Sequence, residues 1–109
     1  MDARDIESKL EQAHDAIYGL QATQRDLSER AAVTKVSYEV EMAKATLLAR
    51  DRGLTQADAK AHATIATEGE MRDHLVADAE LRANRSAINV LQTQVDILRT
   101  LAVTHRSVF

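Results

Sequence analysis

Ile6, Leu10, Ala13, Ile17 and Leu20 follow one another at spacings of four and three residues. That is a heptad seam along one side of a helix. Leu27 and Ala31 keep the phase, with Gln24 as a polar member. Further on, the apolar set moves to Val33, Val36, Val40, Ala43 and Leu47, and the change of phase falls within RDLSERAAV. Asp26 with Glu29 three residues later matches a capping box, which would break the helix there. A stutter in an unbroken helix accounts for the shift equally well. The expectation is one continuous helix over residues 3–51. Gly19 costs this helix roughly 1 kcal/mol relative to Ala and is expected to mark a close helix contact.

The pattern is interrupted between Arg50 and Asp73, where two of the three glycines lie in a chain without proline. Gly53 can take the left-handed conformation that ends a helix. Thr55 is placed as an N-cap, with Asp58 as a first-turn carboxylate near the positive end of the next helix. Thr67 and Glu70 have capping-box spacing and signal a second restart. A short helix over 56–66 therefore sits at a bend, and a last helix runs over 68–106.

That last helix carries two apolar rows. Leu81, Ile88, Leu91, Val95 and Leu98 share one arc with Asn84, and Val90, Ile97 and Leu101 share the next with Ala87. Together they cover about half the circumference, wider than a two-stranded seam uses. One neighbouring helix covers one row, so the other is expected to meet a second chain; both rows are candidate oligomer interface. Asn84, inside the apolar arc, is suited to fixing register, as a buried Asn costs stability but selects one alignment. The predicted fold is all-α: a long antiparallel helical hairpin, coiled-coil-like, with a short helix at the bend, in a single domain that associates into a bundle.

Composition supports helices over a thick globular centre. The chain has 109 residues with one Phe, two Tyr and no Trp, so most apolar volume is Ala, Leu, Val and Ile, which suits helix-on-helix seams. Cysteine is absent, which excludes disulfides and thiolate chemistry and fits a cytoplasmic setting. The first ten residues, MDARDIESKL, lack the apolar run of a secretory signal, and no apolar run has membrane-spanning length. The net charge of −3 is unevenly placed: residues 1–81 sum to −6 and residues 82–109 to +3.

That basic end raises nucleic-acid binding. Arg82, Arg85, Arg99 and Arg106 lie along about 36 Å of helix, a row able to track phosphates or to contact an acidic partner. No aromatic side chain lies among them for base stacking, and the whole chain is acidic, so any such binding is expected to be weak. Glu70, His74 and Asp78 form an i, i+4, i+8 row with the geometry of a metal site, but no HExxH and no second ExxH motif complete it. No serine sits in a nucleophile elbow, and three scattered glycines build no phosphate loop. No catalytic residue, metal or cofactor is expected.

The segments YEVEMAKATLLARDRGLTQADAKAHA, EGEMRD and LQTQVDILRTLAVTHR resemble small all-helical proteins of tailed phages and prophages, over roughly residues 36–106. Genes for such proteins often lie among recombination and replication genes. The family has no settled biochemical role and lends no functional residues. The resemblance implies a phage or prophage accessory factor in the cytoplasm of a bacterial host. Its expected work is non-catalytic protein interaction, either assisting recombination or inhibiting a host protein. Expected partners are the chain itself and another protein. The alternative is a nucleic-acid-associated protein that uses the arginine row.

Overall fold

The computed structural model describes residues 2–108. They form three helices: α1 (Ala3–Asp51), α2 (Gln56–Ala66) and α3 (Glu68–Val108). No strand occurs among the described residues. α1 is unbroken through Asp26–Ser28, and α3 continues two residues past the expected end at 106. The chain divides into two compact units, one made of residues 1–25 and 82–109, the other of residues 26–81. In each, α1 and α3 pair antiparallel, so the fold is the expected helical hairpin with a short helix at the bend.

In the unit formed by the two chain ends, Ile6, Leu10, Ala13, Ile17, Leu20 and Gln24 of α1 are buried or half-buried. Opposite them lie Asn84, Ile88, Leu91, Val95, Leu98 and Ala102 of α3. Both rows keep strict four–three spacing, so each helix offers a stripe at the 3.5-residue period that two paired helices share. The second apolar row of α3 is left outside: Val90 is 58% exposed, Ile97 56% and Leu101 42%.

In the unit spanning 26–81, the seam on α1 does not move to the valines. Leu27, Ala31, Thr34, Tyr38 and Ala45 are half-buried and keep the original phase, and Ala49 is fully enclosed. Val33, Val36, Val40 and Leu47 stay exposed. The seam accepts small and polar residues because their polar atoms are satisfied locally. The Thr34 hydroxyl bonds the Arg30 carbonyl at 2.8 Å, and that of Thr46 bonds Met42 at 2.8 Å. Tyr38 stacks on His74 of α3, ring centroids 6.0 Å apart and planes 12° apart. Arg30 and Glu80 form an exposed pair at 3.1 Å, a geometry worth about 0–1 kcal/mol.

The interior is built largely from alanine: Ala13, Ala49, Ala59, Ala63 and Ala77 are buried beside Ile6, Leu81 and Val95. Small side chains bring helices together without needing large volumes to fill, which is how a chain with three aromatic residues closes a seam. α2 uses the same device. Ala59 and Ala63 lie one turn apart on its inner face, both fully buried.

The bend is set by hydrogen bonds that its sequence encodes. The Gly53 amide donates to the Arg50 carbonyl at 2.9 Å, and the Leu54 amide to the Ala49 carbonyl at 3.2 Å. This is a Schellman closure, with Gly53 at φ +91°. Thr55 then caps α2, its side chain accepting from the Asp58 amide at 3.2 Å. The second restart differs from the capping box expected of Thr67 and Glu70. Thr67 is buried and ends α2, its hydroxyl bonding back to the Ala63 carbonyl at 2.8 Å and lying 3.5 Å from the Met42 sulfur. Burial explains the difference: an enclosed hydroxyl has no water to bond, and the Ala63 carbonyl, which also accepts the Thr67 amide at 3.0 Å, has a second lone pair to take it.

The glycines separate cleanly. Gly53 needs its positive φ, whereas an added Cβ at Gly69 would meet nothing within 4 Å on ordinary helical backbone. Gly53→Ala is expected to lower stability by about 1–2 kcal/mol, and Gly69→Ala to raise it by a few tenths to about 1 kcal/mol. Urea denaturation followed by circular dichroism checks both signs. Gly19 also meets nothing within 4 Å, so the close contact expected of it is not made within this chain.

Candidate functional site

The unit that joins the chain ends has two different flanks. On one, a hollow is lined by His14, Ile17, Tyr18 and Gln21 of α1 with Gln92, Val95, Asp96 and Arg99 of α3. Arg85, Arg99 and Arg106 occupy one heptad position on this flank of α3, 14 and 7 residues apart, and all are exposed. Arg82, also exposed, sits further from the seam. The four expected phosphate contacts therefore share about a third of the helix circumference. Asp96 shares the hollow with Arg99, and Glu7 shares a smaller one with Arg106.

On the other flank lies an open groove of about 510 Å³, lined by Lys9, Gln12 and Ala13 of α1 and Leu91, Gln94, Ile97, Leu98 and Leu101 of α3. Ile97 and Leu101 form its exposed wall. Of the eight expected interface residues, Leu81, Ile88, Leu91, Val95 and Leu98 are buried or half-buried in the seam. Val90, Ile97 and Leu101 stand exposed instead.

That outer surface is unusual in its charge. Through three heptads, from Ala83 to Thr104, every position on it is uncharged: Ala83, Ser86, Ala87, Val90, Thr93, Gln94, Ile97, Thr100, Leu101 and Thr104. A solvated helix face normally carries charge at such positions, and 28% of this chain is charged. On the same side of α1, Gln12, Ala16 and Gly19 follow at helical spacing and are exposed. The uncharged surface thus extends from α3 onto Gln12, Ala16 and Gly19 of α1, with the charged Lys9 at its border. The exposed valine row of the other unit is narrower, with Glu39 and Lys44 flanking it on either side.

Asn84 sits at the inner edge of this unit, 8% exposed. Its amide donates to the Gln24 side-chain oxygen at 2.6 Å and to the Leu20 carbonyl at 3.0 Å. The Thr23 hydroxyl lies 3.3 Å from its oxygen. Both amide protons are used across the seam, so this layer holds α1 and α3 in one alignment, as a register residue does. The sequence placed Asn84 in the seam but gave no sign of its partners, which lie about 60 residues away.

His74, central to the candidate metal row, faces the Tyr38 ring, and its Nδ1 is enclosed without a hydrogen-bond partner. No group of three or more His, Cys, Asp or Glu among the described residues is placed to hold a metal ion. No helix among them is long and apolar enough to cross a membrane. Comparison with protein-family models, with curated proteins and with solved structures finds no match to this chain.

Proposed function

We propose that this protein is a non-catalytic helical interaction module. It works by self-association and by docking to another protein, and its setting is that of a phage or prophage accessory factor in the cytoplasm of a bacterial host. It either assists recombination or inhibits a host protein. The observation that carries the interaction reading is the uncharged outer surface of α3, with Val90, Ile97 and Leu101 exposed along it. A contiguous apolar strip of this kind marks a surface that meets another macromolecule. The phage setting rests on the resemblance of residues 36–106.

The second reading is nucleic-acid association through Arg82, Arg85, Arg99 and Arg106, favoured by their exposure on one side of α3. Recovery of the tagged protein from its bacterial host separates the two. We expect a protein partner that survives nuclease treatment and is lost with Ile97→Asp/Leu101→Asp. Nuclease-sensitive recovery, lost with Arg85→Glu/Arg99→Glu, would replace this reading with the second. With purified protein, a mobility shift at physiological salt is expected to need micromolar concentrations or more.

A further inference from the structure

We infer that the uncharged face binds the same face of a second copy of this chain, antiparallel, about a two-fold axis passing near Gln94. The inference rests on the self-association reading above and specifies its surface, partner and direction.

The argument starts from the order of side-chain sizes. Along the outer face of α3, Ala83 and Ala87 come first, Val90 and Gln94 lie in the middle, and Ile97 and Leu101 come last. α1 runs the other way, so Ala16 and Gly19 lie beside the small end, and Lys9 and Gln12 border the large end. The face is therefore a low bed at one end and a ridge at the other. Gly19 contributes most to the bed, as a Cβ there would meet nothing within 4 Å. A copy laid parallel sets ridge on ridge and bed on bed. A copy turned end for end sets Leu101 over Ala87, Ile97 over Val90 and Thr104 over Ala83, and the partner makes the same contacts in return. This self-complementarity is what an isologous two-fold interface requires. At its centre, Gln94 meets Gln94 of the second copy, and an amide is both donor and acceptor, so like can pair with like.

Polarity and size agree with this occupant. Identical charges would face one another near a two-fold axis, and α3 offers none to this face between Ala83 and Thr104; Lys9 of α1 lines the groove with Ile97 and Leu98, away from the axis. The span from Ala83 to Thr104 is about 33 Å of helix, and two helices packed 8–10 Å apart make a face about 18 Å wide. The footprint is on the order of 600 Å² per copy, so two copies bury about 1,200 Å², the lower bound for a stable specific interface. The valine row on α1 offers no such breadth, because Glu39 and Lys44 border it on either side.

The absence of cysteine makes the test direct. Single-cysteine variants of the full chain are oxidised mildly and read as covalent dimer on a non-reducing gel. Gln94→Cys is expected to cross-link at least about tenfold faster than Tyr18→Cys or Val36→Cys, through the high effective concentration at an interface. Ala87→Cys/Leu101→Cys is expected to cross-link between chains, while either single variant does so poorly; within one helix the two positions are about 21 Å apart, too far to bridge. Rapid cross-linking of Ala87→Cys alone, or of Leu101→Cys alone, would show parallel pairing and overturn the inference. So would a wild-type dimer in light scattering whose fastest variant is Val36→Cys, with self-association surviving. A wild-type monomer at high micromolar concentration would remove self-association itself.

Discussion

Replacing Leu91 and Leu98 together with Asp is expected to abolish the folded state, whereas replacing Ile97 and Leu101 with Asp is expected to leave helix content intact and, on the self-association we propose, to dissociate the protein. The two pairs have similar composition and lie on the same stretch of one helix, within residues 91–101, so propensity does not separate them. The difference lies in what they touch. Leu91 and Leu98 are half-buried in the seam against α1, and Ile97 and Leu101 stand on the outer wall of the groove. Losing two seam leucines removes about 3–6 kcal/mol of apolar burial. Two carboxylates in their place add a desolvation cost of several kcal/mol. A domain of this size has a total stability of about 5–15 kcal/mol, and an alanine-rich interior places this one toward the lower end. Circular dichroism and light scattering on both variants, at matched concentration, check the result. A folded Leu91→Asp/Leu98→Asp protein would show that the seam is not where the structure places it.

The second large effect is expected from one atom. Asn84→Asp preserves shape but replaces the amide donor with a carboxylate oxygen. The Gln24 side-chain oxygen at 2.6 Å and the Leu20 carbonyl at 3.0 Å then face an acceptor instead of a donor. Gln24 can turn its amide, but the carbonyl cannot turn. A buried charge with one adverse contact costs about 2–4 kcal/mol, or a fall in Tm of the order of 10–20 °C at this chain length. Burial raises the pKa of such an acid, and the protonated form donates once more, so the loss shrinks as pH falls toward and through the ordinary carboxylate range, a dependence that a packing defect would not show. Asn84→Leu is the complementary variant. It keeps or raises stability, since apolar pairs tolerate the site, but it removes the layer that selects one alignment. Thermal melts of both variants at neutral and acidic pH test the pair; equal losses at both pH values for Asn84→Asp would discount the electrostatic account.

Much of the fold was legible because it rests on local chemistry. Gly53 and Thr55 act within a few residues of themselves, and their roles as helix stop and N-cap follow from backbone freedom and a side-chain oxygen. Thr67 misled because a threonine followed three residues later by Glu looks the same whether its hydroxyl faces the next helix or the last turn of the previous one. Burial decided that, and burial is not local. The second half of the α1 seam was missed for a related reason. Val33, Val36, Val40 and Leu47 are more apolar than Ala31, Thr34, Tyr38 and Ala45, so hydrophobicity points to the wrong row. The true seam is chosen by unbroken heptad phase and by the partner's own stripe, His74, Ala77 and Leu81. On α3 both rows were visible, but only the position of α1 shows that Leu91 and Leu98 belong inside. Gly19 was read as a contact and is bare within the chain, which a single sequence cannot distinguish from a contact made with another molecule.

The division of the chain has a consequence for the order of folding. Residues 26–81 are contiguous, and their pairings close short loops around the bend. The other unit is assembled from two segments separated by those 56 residues. Bringing its halves together from the open chain costs about 3–4 kcal/mol of loop-closure entropy. Once α1 and α3 are aligned near the bend, that cost has been met, and each further turn adds seam contacts with little new loop to close. Pairing is therefore expected to begin within residues 26–81, whose closing loops are the shorter ones.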